Sequence, residues 1–317
     1  MINLPKLSDA NVQGKRVIVR ADLDFDPSDI NNLRLTSLTP TLDYLKSQSS
    51  VITIIGHRGR PEGKVDESLS LKPFESYFGK WGAKVLENLR FNPGEESNSE
   101  DFAKELAKDQ DFFVNEAFGV SHREHASIVG LPKLLPHAAG FRFSEEVQNL
   151  NQVLENPNHP LVMLISGFKD DKLSYMENFL KFADKILIAG RLPDYIHDES
   201  PLRKNEKVIV ADLIGDKEDI TIHSIEKFLP EIEKAATIVV SGPIGKFEEE
   251  GHRQGTQKIF TAVTDSKGFK VAGGGDTETA IKLLNLGDKF NWISVGGGAM
   301  LEFLAKGTLP GIQALLI

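Results

Sequence analysis

The chain has 317 residues, 40% of them hydrophobic and 26% charged, with a formal net charge of −9 and no cysteine. That balance suits a soluble protein long enough for two cores; it excludes disulfides, thiolate zinc sites and cysteine nucleophiles and argues against nonspecific nucleic-acid binding, which needs basic surface to neutralise phosphates. No apolar run approaches the roughly 18 residues of a membrane span, and Met1 to Lys6 lack the apolar stretch of a signal peptide, so the expectation is a cytoplasmic monomer with neither nucleic acid nor membrane as partner.

From the N-terminus, Val- and Ile-rich runs alternate with helix-period segments: Arg16 to Arg20, then Leu38 to Leu45, Val51 to Ile55, Phe102 to Leu106 and Phe112 to Val114. Continuous apolar runs suit strands covered on both faces, which predicts a parallel sheet with crossover helices. A helical stretch, Glu145 to Leu154, meets the break Asn156-Pro157-Asn158-His159-Pro160, and a second set of strands begins at Leu161 to Ile165 and continues through Lys185 to Ile188, Val208 to Ala211 and Thr237 to Val240. The expected organisation is α/β: two doubly wound parallel-sheet lobes over 1–155 and 156–300, with a tail over 301–317.

Late in the chain, three segments end in glycines: Ser241-Gly242-Pro243-Ile244-Gly245, Gly273-Gly274-Gly275-Asp276-Thr277 and Gly296-Gly297-Gly298-Ala299. Each follows a run of β-formers, and the last two precede helix-period patterns such as Ala280, Ile281, Leu283 and Leu284. Glycine lets backbone approach an anion, and the free N–H groups of a helix start favour negative charge. A single glycine triplet is an ordinary tight connection; three in one stretch, one carrying an Asp-Thr pair suited to Mg²⁺ and a helix cap, point to nucleotide binding.

Ligands of doubly wound sheets sit beyond the carboxyl ends of the strands. The first strand is followed by Arg20, Asp22 and Asp24, the next by His57, Arg58, Gly59 and Arg60, and later Asn115 and Glu116 lead to His122 and Arg123, with Arg34 also close in sequence. Taken singly, each arginine fits a surface ion pair. As a set in an acidic chain, Arg20, Arg34, Arg60 and Arg123 with His57 point to an anionic small molecule held by forked guanidinium contacts.

These segments resemble the phosphoglycerate kinase family over nearly the whole chain. Val19 to Asp24 resembles its RVDFN strand, Gly56 to Pro61 its SHLGRP, and Leu86 to Phe91 with Pro93 to Glu96 its ENLRFxPGEE; Asn115 to Gly119 with His122 to Ser127 resembles NDAFGTAHRAHAS. In the second half, Ser166 to Lys169 resembles GGAK, Ser241 to Glu248 resembles NGPxGxFE, and the two glycine triplets resemble GGGDT and TGGGA.

The resemblance implies two Rossmann-like lobes joined by a hinge helix, and reversible phosphoryl transfer between 1,3-bisphosphoglycerate and ADP, giving 3-phosphoglycerate and ATP. It implies a phosphoglycerate site of Arg20, Asp22, Leu23, Asp24, Arg34, His57, Arg58, Gly59, Arg60, Arg123 and His159. The implied nucleotide site comprises Lys169, Lys172, Gly190, Pro243, Glu248, Gly274, Gly275, Asp276 and Thr277, with Asp276 on Mg²⁺. Arg34, Lys169 and the helix starts at Gly275 and Gly298 would stabilise charge on the transferring group, and lobe closure would exclude water.

Departures from the pattern cluster. Asp24 stands for an Asn and adds a carboxylate beside an acidic ligand; His159 stands for an arginine of the basic patch; Glu116 replaces Asp, Val295 Thr and Ser241 Asn. The loop Lys169-Asp170-Asp171-Lys172 is one residue short, Ile188-Ala189-Gly190-Arg191 replaces a glycine run that makes room for adenosine, and Leu192 to Asp219 is reduced. Arg191 would then fill the slot or contact phosphate. The alternatives are a homologue that binds phosphoglycerate or nucleotide without turnover, and a kinase for another phosphorylated acid.

Overall fold

The computed structural model describes residues 2–317. The chain divides into two compact units, one holding the residues up to Gln148 together with Thr308–Ile317, the other Asn149–Gly307.

The first unit is built on a wholly parallel sheet of β1 (Arg16–Arg20), β2 (Val51–Ile55), β3 (Lys84–Val85), β4 (Phe112–Asn115) and β5 (His137–Ala139), in the order β3-β2-β1-β4-β5. Val17, Ile18 and Val19 of the central strand are wholly buried, and helix α1 (Thr39–Ser47) sinks Leu42 and Leu45 into the same core. Helix α2 (Glu100–Ala107) crosses over between β3 and β4, opened by Ser99, whose hydroxyl accepts from the Phe102 N–H. A strand covered on both faces cannot alternate apolar with polar residues, which is why these runs read as continuous.

The second unit carries β6 (Leu161–Gly167), β7 (Lys185–Gly190), β8 (Val208–Val210), β9 (Thr237–Ser241), β10 (Phe269–Gly273) and β11 (Trp292–Ser294), again all parallel, in the order β11-β10-β9-β6-β7-β8. Counted from β6 this is the 3-2-1-4-5-6 winding of dinucleotide-binding folds; the first unit has the same winding without a sixth strand. In both, the winding reverses between the first and fourth strands, and the crevice at their carboxyl ends is where such folds take ligands.

The division differs from the expected one at both ends. Helix α3 (Phe141–Glu155) runs through residue 148, so contacts change hands inside the helix rather than at the Asn156–Pro160 break. The expected tail 301–317 is two things: residues to Lys306 continue a helix that starts at the third glycine turn, and only Thr308–Ile317 returns to the first unit. Gly307, at φ +73°, ends that helix in the left-handed conformation glycine tolerates. Beyond it the Gly311 N–H donates to the Ser121 carbonyl at 2.9 Å, and Ala314 packs on Ala117, Val120, Ile128 and Val129.

Glu116, which follows β4, explains how α3 is launched. Its buried carboxylate accepts from the Thr41 hydroxyl and from the N–H groups of Phe143 (2.9 Å) and Arg142 (3.3 Å), in the first turn of α3. Burial pushes this carboxyl from 4.5 up to about 7, against the lowering effect of those hydrogen bonds. The folded protein therefore keeps a proton that the unfolded chain releases, so the group's stabilisation is present below about pH 4.5 and lost as pH rises through about 7, a swing of about 3 kcal/mol. The expected result is that Glu116→Gln loses much of the decline in chemical-denaturation stability between pH 5 and 8; an unchanged slope would locate the titration elsewhere.

Candidate active site

On the first unit, the turns after β1, β2 and β4 and a short segment after β3 meet at the carboxyl edge of the sheet. Arg20, the last residue of β1, is fully buried: its Nε donates to Ser127 Oγ at 2.8 Å, and its Nη2 lies 3.0 Å from His57 Nδ1 and 3.8 Å from Glu95 Oε1. An arginine only donates, so His57 Nδ1 accepts and the imidazole carries its proton on Nε2. Burial, then the neighbouring Arg20 and Arg90, hold His57 well below its ordinary value, so it is a neutral N–H donor. The His57 Nε2 lies 3.8 Å from Asp24 Oδ2.

The extra carboxylate at Asp24 is absorbed locally, because its Oδ1 accepts from the Gly59 N–H at 2.7 Å. Gly59 sits at φ +59°, a conformation a side chain would strain. Arg34 Nη1 donates to the Asp24 carbonyl at 2.8 Å and approaches Asp22 Oδ1 at 3.5 Å. Leu23 is buried beneath, while Arg60 and Arg123 are exposed at the rim, with Arg123 Nε 3.1 Å from His122 Nε2.

One expected contact turns away from this edge, and another belongs to the second unit. Arg58 turns its guanidinium to the carbonyls of Ser68 (3.1 Å) and Ser70 (3.2 Å), which makes it a brace for that loop. His159 precedes β6 at the amino end of that strand, opposite to the ligand edge, where it pairs with Asp184 at 2.5 Å. A residue there is separated by the strand's length from the turn that follows Gly167, and its imidazole is engaged by Asp184.

Arg90 is the residue the sequence reading missed. It lies in the Leu86–Phe91 motif, is buried, donates from Nη1 to the Gly59 carbonyl at 2.7 Å and places Nε 3.3 Å from Glu96 Oε1. Its charge lowers both His57 and His125, the latter to about 3 after the larger effect of burial. The signal available was an arginine inside a motif otherwise made of capping and packing residues.

On the second unit, helices α4 (Gly275–Leu283) and α5 (Gly297–Lys306) begin directly at glycine turns after β10 and β11. Gly274, at φ +114°, takes a conformation open to glycine alone, and a Cβ on Gly297 would stand 2.5 Å from Gly274 Cα and 2.8 Å from its nitrogen. The two turns thus touch backbone to backbone, presenting two sets of unpaired helix-start N–H groups side by side. Nothing lies within 4 Å of where a Cβ would fall at Gly275 or Gly298, so both face open space. Gly297→Ala is expected to cost about 1–3 kcal/mol, since backbone cannot rotate away as a side chain would, whereas Gly298→Ala shifts stability by less than about 0.5 kcal/mol; guanidinium titrations of both variants check the contrast.

Thr277 lies in the first turn of α4 but faces inward: its hydroxyl donates to the Gly273 carbonyl at 3.0 Å and accepts from the Gly242 N–H at 2.8 Å. It ties the β9 turn to the β10 turn, so the hydroxyl's proton is already used and only the backbone N–H of Thr277 is left for a nucleotide. Lys172, despite the shortened loop, reaches the switch point: its ammonium donates to the Ser166 carbonyl and lies 3.1 Å from Ser241 Oγ, joining the ends of β6 and β9. Burial lowers it to about 8. Lys169, Glu248 and Asp276 are exposed, Pro243 is buried, and Gly190 turns at φ +64°.

Each unit therefore presents an anion-binding edge at its switch point, one of arginines and one of paired helix starts: the class is a two-unit α/β protein handling phosphorylated small molecules. The family profile described as phosphoglycerate kinase matches residues 7–85, 80–196 and 194–307. The phosphoglycerate kinase of Moorella thermoacetica is 33% identical, with 98% of each chain covered, and that of Coprothermobacter proteolyticus is 30% identical with both chains covered in full. Among solved structures, phosphoglycerate kinase from Coxiella burnetii superposes with a TM-score of 0.84 at 29% identity over 99% of each chain, and that from Pyrococcus horikoshii with 0.80 at 25% over 99% of this chain and 98% of the other. The chain belongs to the phosphoglycerate kinase family. It is a short member: the Moorella alignment spans 386 positions, against 317 residues here.

Proposed function

We propose that this chain catalyses reversible phosphoryl transfer between 1,3-bisphosphoglycerate and ADP, giving 3-phosphoglycerate and ATP. The observation that carries the reading is the pair of touching helix starts at Gly274 and Gly297 in one unit, together with an arginine edge built on a buried Arg20–Glu95 pair in the other. In the direction of ATP use, a carboxylate oxygen of 3-phosphoglycerate attacks the terminal phosphorus, the new O–P bond forming as the bond to the bridging oxygen breaks and ADP leaves. The attacking carboxylate is already ionised at neutral pH, so no general base is required and catalysis consists of positioning and charge neutralisation.

Arg34, Arg60, Arg90 and Arg123 hold the acid and its phosphate, with the His57 Nε2–H as a neutral donor and Asp22 and Asp24 as acceptors for the hydroxyl. Lys169 and the N–H groups at Gly275 and Gly298 neutralise the group in transfer, and Lys172 fixes the strand ends beneath it. Among the described residues no cluster of three or more His, Asp or Glu could cage a metal. The lone exposed carboxylate of Asp276 fits Mg²⁺, which takes few protein ligands and is held largely by nucleotide phosphates. When bound, that ion would offset phosphate charge. The same reading makes the protein a cytoplasmic monomer acting on small molecules; among the described residues, no helix is long and apolar enough to cross a membrane.

A coupled assay tests this: purified protein with 3-phosphoglycerate, Mg²⁺ and ATP, read through NADH oxidation by glyceraldehyde-3-phosphate dehydrogenase. Turnover is expected. Tight phosphoglycerate binding by calorimetry without turnover would favour the binding-only homologue.

A further inference from the structure

We infer that Arg191 closes the base side of the donor site, so that this chain reads the polyphosphate of its donor and not the base; the inference rests on the kinase reading above. The glycine turns after β9, β10 and β11 occupy one flank of the switch point. A nucleotide whose phosphates lie there must extend its nucleoside across the ends of β6 and β7. That flank is shut. The Arg191 N–H donates to the Gly167 carbonyl at 2.8 Å, a Cβ on Gly190 would stand 2.7 Å from the same oxygen, and the Tyr195 hydroxyl donates to the Phe168 carbonyl at 3.2 Å, so the two turns are sewn together.

Over them lies the Arg191 side chain. Its Nη2 is 3.2 Å from Asp194 Oδ2 and its Nη1 3.5 Å from Glu218 Oε1, while Lys217 Nζ sits 2.8 Å from Asp194 Oδ1. Two cations and two anions leave no net charge to draw a phosphate, which decides against Arg191 as a phosphate contact. Glu218 is held in place by its backbone, whose carbonyl accepts from the Lys246 N–H at 2.7 Å; the short loop between the bridged residues Leu213 and Ile220 is thereby pinned onto the β9 turn. The space bounded by Gly167, Gly190, Arg191, Glu218, Pro243 and Ile244 is too narrow to admit a water molecule. A purine could enter only by breaking both ion pairs of Arg191. The base therefore stays in solvent and contributes little to affinity.

Calorimetry on the whole protein with Mg²⁺ and, in turn, ATP, GTP, UTP and inorganic tripolyphosphate tests this. The four dissociation constants are expected to agree within about threefold, and Arg191→Gly, at a backbone φ of −88° that glycine accepts, is expected to tighten ATP about tenfold by letting the ring stack while leaving tripolyphosphate unchanged. ATP or GTP binding more than about thirtyfold tighter than tripolyphosphate to the unmodified protein would overturn the inference while leaving the kinase reading intact, because it would mean that base-edge contacts are made. A GTP preference would point to the buried Arg191 Nε, which has no hydrogen-bond partner, as the reader. Binding of phosphoglycerate with no binding of any of the four would overturn the donor site itself, and this inference with it.

Discussion

Lys169→Ala is expected to lower kcat by about 10²–10³ while nucleotide Kd moves by less than about threefold, the signature of a charge that acts on the transferring group and not on bound ATP. Lys169 is exposed at the start of the loop after β6, and among the described residues it forms no ion pair, whereas Lys172, three residues on, spends its ammonium on Ser166 and Ser241. The two lysines thus divide the work: one is held by backbone, the other is available to a ligand. Steady-state kinetics paired with calorimetry measure the split, and an equal loss confined to KM would assign Lys169 to ground-state binding. Lys172→Ala should instead lower stability as well as turnover, because it removes the group that joins two strand ends.

The second large effect is expected at Glu95. Its carboxylate is wholly buried, accepts from the Ser127 hydroxyl at 2.6 Å and the Ser127 N–H at 3.0 Å, and is the principal counter-charge to Arg20, ahead of Asp22. Glu95→Gln should cost about 3–5 kcal/mol, since removing one partner leaves the other as an unneutralised charge away from water. The double replacement Arg20→Met with Glu95→Gln should cost less than the two single effects added together, the non-additivity that marks direct coupling. A Glu95→Gln loss below about 1 kcal/mol would mean that Asp22 alone suffices for Arg20.

How much of this was legible in the sequence differs by residue. The parallel sheets were, because a strand buried on both faces leaves an unbroken apolar run, and so were the helix starts, because only glycine satisfies the φ of Gly274 and the contact at Gly297. Side-chain direction was not. Arg58 and Arg60 flank one glycine, yet the first turns back to Ser68 and Ser70 while the second stays exposed. Thr277 stands beside Asp276 but is spent on Gly242 and Gly273. Arg90 escaped because it follows a two-residue strand too short to announce itself, and His159 was placed by its match to an arginine of the family pattern, which does not say that its imidazole pairs with Asp184.

The return of Thr308–Ile317 to the first unit bears on the order in which the protein is made. A ribosome delivers β1 to β5 first, but Gly311 and Ala314, which bond Ser121 and cover Ile128, emerge only after the whole of Asn149–Gly307. The amino-terminal half therefore waits, with Ala117, Val120 and Val129 incompletely covered, while the second half is synthesised. The earlier-made unit is thus the later to be finished, and the nascent chain carries an exposed apolar seam through that interval, the kind of surface chaperones recognise.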